Sequence, residues 1–354
     1  MKKLIKNIAI ILFIVIVSNS FSLYSFAASS TNYHCGLQEE NWDSINYDED
    51  DSAGGTSSLP SAIDNSSLFP SPGNQGIQNS CVGWAVAYAA KSGLERNKRN
   101  WSISSSVHHF SPSFIYNQIN GKKNVPVPLS SGIDKVASQG VCTLSYFAYN
   151  ENDWTTPPST LQKKNAALYK GKKAKKVTGI NKMKARISEG YGIITGIITS
   201  PDLRNLNSTN PIYNVLGSNL NNEEYHAICL IGYDDSKNAF KFINSWGTDW
   251  GINGYGWISY DLISNYSCNI YHSARGFILT EKDDSYIIGD VSQDKKVTSK
   301  DARLVLRYVA HLETLSEDQL VLADVNGDAK VNSTDANALQ KYVAHIISQL
   351  PIYD

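Results

Sequence analysis

Cysteine is scarce in this chain, with five residues at 35, 81, 142, 229 and 268 among 354. They are too few and too scattered to staple a small disulfide scaffold, and an odd count leaves at least one thiol without an intramolecular partner. A long apolar run is missing too. Ile8 to Val17 is about half of the roughly 20 residues that a bilayer span requires, which argues against an anchor. Lys2, Lys3 and Lys6 before that run and Ser25-Phe26-Ala27 after it have the order of a secretory signal cut after Ala27. Nor is there an excess of one charge. The formal net charge of -1 becomes -4 without the three signal lysines, a balance that speaks against nucleic acid as the main partner. With 42% hydrophobic residues, disorder and fibrous repeats are excluded.

What charge there is lies in patches. Glu39, Glu40, Asp43, Asp48, Glu49, Asp50 and Asp51 crowd residues 28–58, while Lys163, Lys164, Lys170, Lys172, Lys173, Lys175 and Lys176 form a basic stretch. Both are expected to be solvated surface, with docking of one on the other as the alternative. Residues 28–58 end in Ser52-Ala53-Gly54-Gly55-Thr56-Ser57-Ser58 and read as a poorly ordered leader with a hinge. From 59 to 280, short apolar runs such as Gly192 to Ile198 and Ala227 to Tyr233 follow one early helical stretch, an α+β texture. Residues 281–285 read as a linker before a last unit, 286–354.

That last unit repeats itself at an offset of 34. Asp290 to His311 and Asp324 to His345 agree at twelve of twenty-two positions, which marks a duplication. Each copy opens with spaced oxygen side chains: Asp290, Ser292, Asp294, Thr298 and Asp301, then Asp324, Asn326, Asp328, Asn332 and Asp335. These are positions 1, 3, 5, 9 and 12 of a calcium loop, with Lys296 and Lys330 at position 7 offering backbone carbonyls. An apolar helix pattern follows each loop. The pair resembles a type I dockerin, a small all-α module with two calcium loops that binds a cohesin of a cellulosome scaffold. The resemblance implies two calcium ions and a cohesin-facing surface at Ser299, Lys300, Ser333 and Thr334. Lys295 and Ala329 stand where such loops usually carry Gly, so left-handed backbone there costs about 1 to 2 kcal/mol each. Ser292 in place of Asn326 makes the first loop the weaker expected site.

Chemistry points elsewhere. Asn79 and Ser80 precede good helix formers, so a helix is expected to begin at or next to Cys81. A cysteine at that end feels the positive helix pole, which favours thiolate. Taken alone it is as readily a small buried hydrophobe. A thiolate nucleophile needs a proton-holding partner, and among seven histidines His226 starts an apolar strand-like segment after a polar stretch, at a strand mouth rather than in mid-core. The run Asn244-Ser245-Trp246-Gly247 onward to Gly256 is too rich in Gly and polar groups for a core strand. Asn244 can accept the imidazole N–H, and Trp246 can lie over that bond and keep water away.

Here the chain resembles the papain-like cysteine peptidases. The family glutamine six residues before the nucleophile is Gln75; its Ser-Cys is Ser80-Cys81; its His-Ala strand is His226-Ala227; its Asn-Ser-Trp-Gly-x-x-Trp-Gly-x-x-Gly-Tyr signature is Asn244 to Tyr255. Weaker echoes lie at Phe110 to Asn117 and Gln139 to Cys142. The resemblance covers about 59–280 and implies a two-subdomain fold, helical on the left with Cys81 and β-rich on the right with His226 and Asn244. It further implies attack by Cys81 on a peptide carbonyl, oxyanion stabilisation by Gln75 and the Cys81 backbone, no catalytic cofactor, and a polypeptide substrate. Two departures stand out. Gln78-Asn79-Ser80-Cys81-Val82 lacks the disulfide cysteine usual beside the site, and Val127 to Gly132 replaces the family's cleft Gly-Gly pair.

The leader contains Tyr33-His34-Cys35-Gly36-Leu37. The odd thiol count and the 46-residue reach to Cys81 motivate a Cys35–Cys81 disulfide that makes latency redox-controlled; a free Cys35 is the alternative. The expectation is therefore a secreted, monomeric cysteine endopeptidase without a membrane anchor, carried to a cellulosome by its dockerin. The rivals are a catalytically silent binding or inhibitor module on the same fold, or another Cys-His acyl hydrolase such as a cell-wall amidase.

Overall fold

A computed structural model describes residues 33–51, 58–103, 105–214, 224–266, 274–281 and 286–350. The signal segment, most of the Ser52–Ser58 hinge, residues 282–285, Cys268 and His272 lie outside them. Among the described residues no helix is long and apolar enough to cross a membrane.

The helical half is built on α1, which starts as Cys81–Gly83, winds as a π-helix over Trp84–Lys91 and closes as Ser92–Arg99. Its Val82, Ala85, Val86, Ala87, Ala89 and Ala90 are all buried, because a helix apolar on every side must lie inside a core. Three more helices wrap it: α2 (Pro112–Ile119), α3 (Leu129–Ser138) and α4 (Thr160–Ala167). Ser111 caps α2 by accepting the Phe114 N–H at 3.2 Å, and Pro112 takes the first turn, where its missing donor costs nothing. A Ser159–Gln162 capping box starts α4.

The other half is one nine-stranded sheet. In chain order its strands are β1 (Asp48–Glu49), β2 (Ala62–Asp64), β3 (Gly171–Thr178), β4 (Ile193–Ile198), β5 (Ile212–Tyr213), β6 (Tyr225–Asp234), β7 (Ala239–Ile243), β8 (Tyr255–Ser259) and β9 (Arg275–Glu281). Neighbours run β1-β3-β9-β4-β6-β7-β8-β5, with β2 also pairing β6. β6 is buried along nearly its whole length, and its antiparallel register with β7 sets Cys229 opposite Ile243. The start of β6 and the end of β7 therefore meet at one margin of the sheet, which brings His226 beside Asn244. Cys229 and Cys142 are fully buried in the apolar interior.

The described part of the leader, 33–51, packs on the sheet. Its β1 adds a parallel edge strand to β3, setting Asp48 opposite Lys175 and Glu49 opposite Lys176. Fully buried Asp50 pairs with Arg186 and with Lys175 at 3.6 Å, and Trp42 and Tyr47 pack on Phe277 at 4.8 and 5.5 Å. The two charge runs meet through β1 on β3 and the Asp50–Lys175 pair, while Glu39, Asp43, Asp48, Glu49, Asp51, Lys163, Lys172 and Lys173 stay exposed, so docking is local and the rest is solvated as expected. The physical reason is that Trp42, Ile45 and Tyr47 alternate with the acids, so the segment buries apolar area while its carboxylates reach lysine and arginine.

The C-terminal unit contains α8 (Ser299–Val309), α9 (Glu317–Ala323) and α10 (Ser333–Val343), after the short sheet-side helices α5 (Ile180–Ser188), α6 (Pro201–Arg204) and α7 (Tyr260–Tyr266). Lys295 and Ala329 do adopt left-handed backbone, at φ 71° and 65°. Each repeat helix ends on a left-handed His311 or His345, at φ 58° and 56°.

Candidate active site

Helix, strand and loop converge where the two halves meet. Gln75 N–H donates to Ser245 O at 2.8 Å, Gly247 N–H to Gly73 O at 2.9 Å, and Asn74 bridges Trp246. These main-chain bonds fix the loop before α1 against the loop after β7. Cys81 opens α1 from the N-cap position Ser80, but the Ser80 hydroxyl bonds the Tyr149 hydroxyl at 2.8 Å instead of capping the helix. The same Tyr149 hydroxyl lies 2.8 Å from Gln75 O, so the loop is held by side chains outside the helix.

The structure brings four of the sequence-selected residues together. Cys81 Sγ accepts the amide N–H of Ala227, the residue after His226, at 3.4 Å. His226 Nε2 lies 2.7 Å from Asn244 Oδ1, which also accepts the Ser245 N–H at 2.8 Å. His226 Nδ1 is buried without a hydrogen bond and is the ring nitrogen left free for a proton exchange. Gln75 is pinned at both ends of its amide, Nε2 donating to Gln78 O at 2.7 Å and Oε1 accepting from Ser245 Oγ at 2.6 Å. The second Nε2 hydrogen remains free to donate. The Trp246 indole covers the imidazole with ring centres 4.5 Å apart and a 31° tilt.

Sequence reasoning set His226 at a strand mouth. It is indeed the second residue of β6, yet it is completely buried. The leader closes the mouth. Tyr33 stacks on Trp246 at 4.9 Å, and Trp246 Nε1 donates to His34 O at 2.8 Å. Leu37 N–H donates to Tyr225 O at 3.1 Å, Val127 N–H to Gly36 O at 2.9 Å, and Gln38 N–H to Val127 O at 2.9 Å. The leader therefore runs as an extended strand between Val127 and Tyr225. Gly36 passes so close to Asn79 that a Cβ would stand 2.1 Å from its carbonyl oxygen. Leu37, almost wholly buried, rests on Gly196. Arg204 ties this segment down through Tyr33 O, through Glu224 and, at 3.7 Å, through the Cys35 sulfur. Tyr33 belongs to the pentad expected in the cleft, whereas Arg204 was not legible as a site residue, for no motif singles it out.

The covering has an electrostatic effect. Burial pushes the Cys81 thiol up to about 12, against smaller opposing help from the Ala227, Val82 and Cys81 amides. Burial likewise lowers His226 to about 4, although Asn244 acts the other way. Burial under the leader thus works against a thiolate–imidazolium pair. Burial, and next Cys81 itself, raise Cys35 well above an ordinary thiol. Cys35, Cys81, Cys142 and Cys229 are all free, so the expected Cys35–Cys81 bond is not formed, although the leader brings Cys35 under the influence of Cys81.

The two C-terminal loops share one backbone design. Asp294 and Lys295 N–H bond Asp290, and Ser292 and Thr298 N–H bond Asp301. Asp328 and Ala329 N–H bond Asp324, and Val325 and Asn332 N–H bond Asp335. Lys300 Nζ reaches Asp294 at 3.2 Å, and among the described residues no three His, Cys, Asp or Glu side chains already converge on one point. The donor set nevertheless fits calcium. It is all oxygen, Asp301 and Asp335 are fully buried, Ser292 Oγ is buried without a hydrogen bond of ordinary geometry, and the tight turn is already left-handed. Lys296 and Lys330 stand at the backbone-donor position, while Ser299, Lys300, Ser333 and Thr334 are exposed at the starts of α8 and α10.

The sequence model described as papain family cysteine protease matches residues 129–278, and that for the dockerin type I domain matches 288–344. The chain carries a papain-family cysteine protease domain joined to a type I dockerin domain. Cys81 and Gln75 precede the first match, so their half rests on the fold. Xylellain, a cysteine protease from Xylella fastidiosa, shares that fold with a TM-score of 0.56 at 23% identity, over 71% of this chain and 97% of its own. The bromelain protease from Ananas comosus gives 0.51 at 19%, over 63% and 100%. An uncharacterized peptidase C1-like protein of Acanthamoeba polyphaga mimivirus is 24% identical over 51% of this chain and 62% of its own. Peptidase 1 of Dermatophagoides pteronyssinus is 27% identical over 36% and 40%. The chain thus spans about 62% and 40% of the lengths of these two relatives.

Proposed function

We propose that this protein is a secreted cysteine endopeptidase, made latent by its leader and attached to a cellulosome through calcium-dependent binding of its dockerin to a cohesin. The observation that carries the reading is the contact of Cys81 Sγ with the amide next to His226, whose ring is held by Asn244 at 2.7 Å. In the uncovered site His226 takes the thiol proton, Cys81 sulfur attacks the peptide carbonyl, and the Cys81 N–H and Gln75 amide hold the oxyanion. His226 then gives the proton to the leaving amine, and water releases the acyl group by the reverse relay. Asn244 keeps the ring oriented and Trp246 keeps water off it. No metal takes part; two calcium ions belong to the dockerin loops.

Latency follows from residues 33–38 lying across the site. Under oxidising conditions Cys35 and Cys81 join by exchange with a small disulfide, which takes up two electrons and leaves as two thiols. A silent binding module on this fold is disfavoured because Cys81, His226, Asn244 and Gln75 are all in place.

Reduced protein freed of residues 28–58 should cleave an unstructured polypeptide and be labelled by a thiol-reactive epoxide. Cys81→Ala should abolish both, and Gln75→Ala should slow turnover about 100-fold. Cleavage by Cys81→Ala would sink the reading. Non-reducing peptide mapping of oxidised precursor should recover a Cys35–Cys81 peptide; free alkylation of Cys35 would remove the redox element alone.

A further inference from the structure

The duplicated dockerin is not treated symmetrically by the rest of the chain. Tyr146 OH donates to Asp324 Oδ2 at 2.7 Å, and Ser145 Oγ donates to Gly327 O at 2.6 Å. Both partners lie in the second calcium loop. Thr143 shares a 2.8 Å hydroxyl contact with Ser145 and so fixes that donor. Nearby, Lys164 of α4 pairs with Asp318 of α9 at 2.9 Å, and Val321 and Leu322 enter the apolar core of the peptidase half. Val107 stands 3.6 Å from where a Cβ would sit on Gly327. Ser105 and Val107 then form one wall of a groove whose other wall is Thr334, Asn337 and Lys341 on one face of α10.

The first repeat carries the twin of that face without the neighbour. Lys300, Arg303 and Arg307, 34 residues before Thr334, Asn337 and Lys341, are exposed as those are, but among the described residues no groove lined by Ser105 and Val107 stands against them. Among the described residues no hydrogen bond or ion pair joins 290–312 to the peptidase half. Leu306 is 40% exposed beside this basic face where the second repeat has Gln340, while exposed Leu312 has an equally exposed counterpart in Ile346. Apolar anchors ringed by charge are the composition of a protein-binding face.

We propose that the peptidase half holds the second calcium loop through Tyr146 and Ser145, and that cohesin is therefore engaged through the first repeat, at Ser299 and Lys300. This rests on the dockerin reading above. A partner of globular size approaching Thr334 meets Ser105 and Val107 across the groove, whereas among the described residues no such wall stands beside Ser299 and Lys300 on α8. Tyr146 acts as a positioning residue for Asp324.

The test uses the full-length chain with calcium and a recombinant type I cohesin module chosen from a panel by its binding to the wild type. Ser299→Ala with Lys300→Ala should weaken binding by about 30-fold, as loss of an interface hot spot does. Ser333→Ala with Thr334→Ala should change it by less than about 3-fold. In a Tyr146→Phe, Ser145→Ala background the first-repeat loss should shrink, because the freed second repeat takes over. Melting curves and calcium titrations of every variant show that the fold and both sites persist. Equal losses from the two pairs, or a larger loss from Ser333 and Thr334, would overturn the inference while leaving the dockerin intact. Failure of the wild type to bind any module of the panel overturns both.

Discussion

At the scale of single residues, the latent state turns on Gly36. Its hydrogen faces the Asn79 carbonyl where a methyl would stand at 2.1 Å, a separation that no backbone tolerates without moving. Gly36→Ala in the precursor should lift the leader from the cleft and raise the alkylation rate of reduced Cys81 at neutral pH by at least about tenfold, since thiolate fraction sets that rate. An unchanged rate would mean that the leader does not control access. The imidazole gives a pH test. His226 titrates near 4 when covered and near its ordinary 6.5 when unfolded, so the unfolded chain takes up the extra proton. The stability it supports is complete above pH 6.5 and is lost as pH falls toward 4, by about 3 kcal/mol in all. His108 and His109, both lowered chiefly by burial, act in the same direction. Denaturant midpoints of the precursor between pH 7 and 4 should decline, and His226→Gln should flatten the slope. Cys81, His226, Asn244 and Gln75 could be named beforehand because each stands in a spaced motif. Arg204 could not, since a guanidinium that holds a leader backbone leaves no periodic trace.

At the scale of elements, α1 hides a charged group that its sequence masks. Lys91 and Glu95 are one turn apart and almost wholly buried, with Arg99 completing the set at 2.6 Å from Glu95. Removing the one acid leaves Lys91 charged inside the core, and breaking such a pair costs about 3–5 kcal/mol. Glu95→Ala should lose that much in urea unfolding, and a change under 1 kcal/mol would mean that water already reaches the lysine. The start of α1 at Cys81 was readable from polar Asn79-Ser80 before apolar residues. Its π-wound middle was not, because no residue there departs from good helix formers. The local docking of the acidic leader on β3 is the alternative that charge runs alone leave open, and what decides for it is the apolar Trp42, Ile45 and Tyr47 set among the acids.

At the scale of the whole molecule, the sheet ends on its leader strand. β1 pairs with β3 at Lys175 and Lys176, and residues 28–58 contain seven acids and no lysine or arginine. Excising them takes residues 28–354 from a formal -4 to +3, since seven negative charges leave. Maturation would then invert the molecule's sign as well as open its cleft. The freed margin of β3 would expose Lys175 and Lys176, and lysine on an edge strand discourages strand-to-strand self-association. Precursor and processed enzyme should leave an anion exchanger at opposite ends of a salt gradient near neutrality, so a newly activated copy drifts toward acidic surfaces that its dormant form avoids.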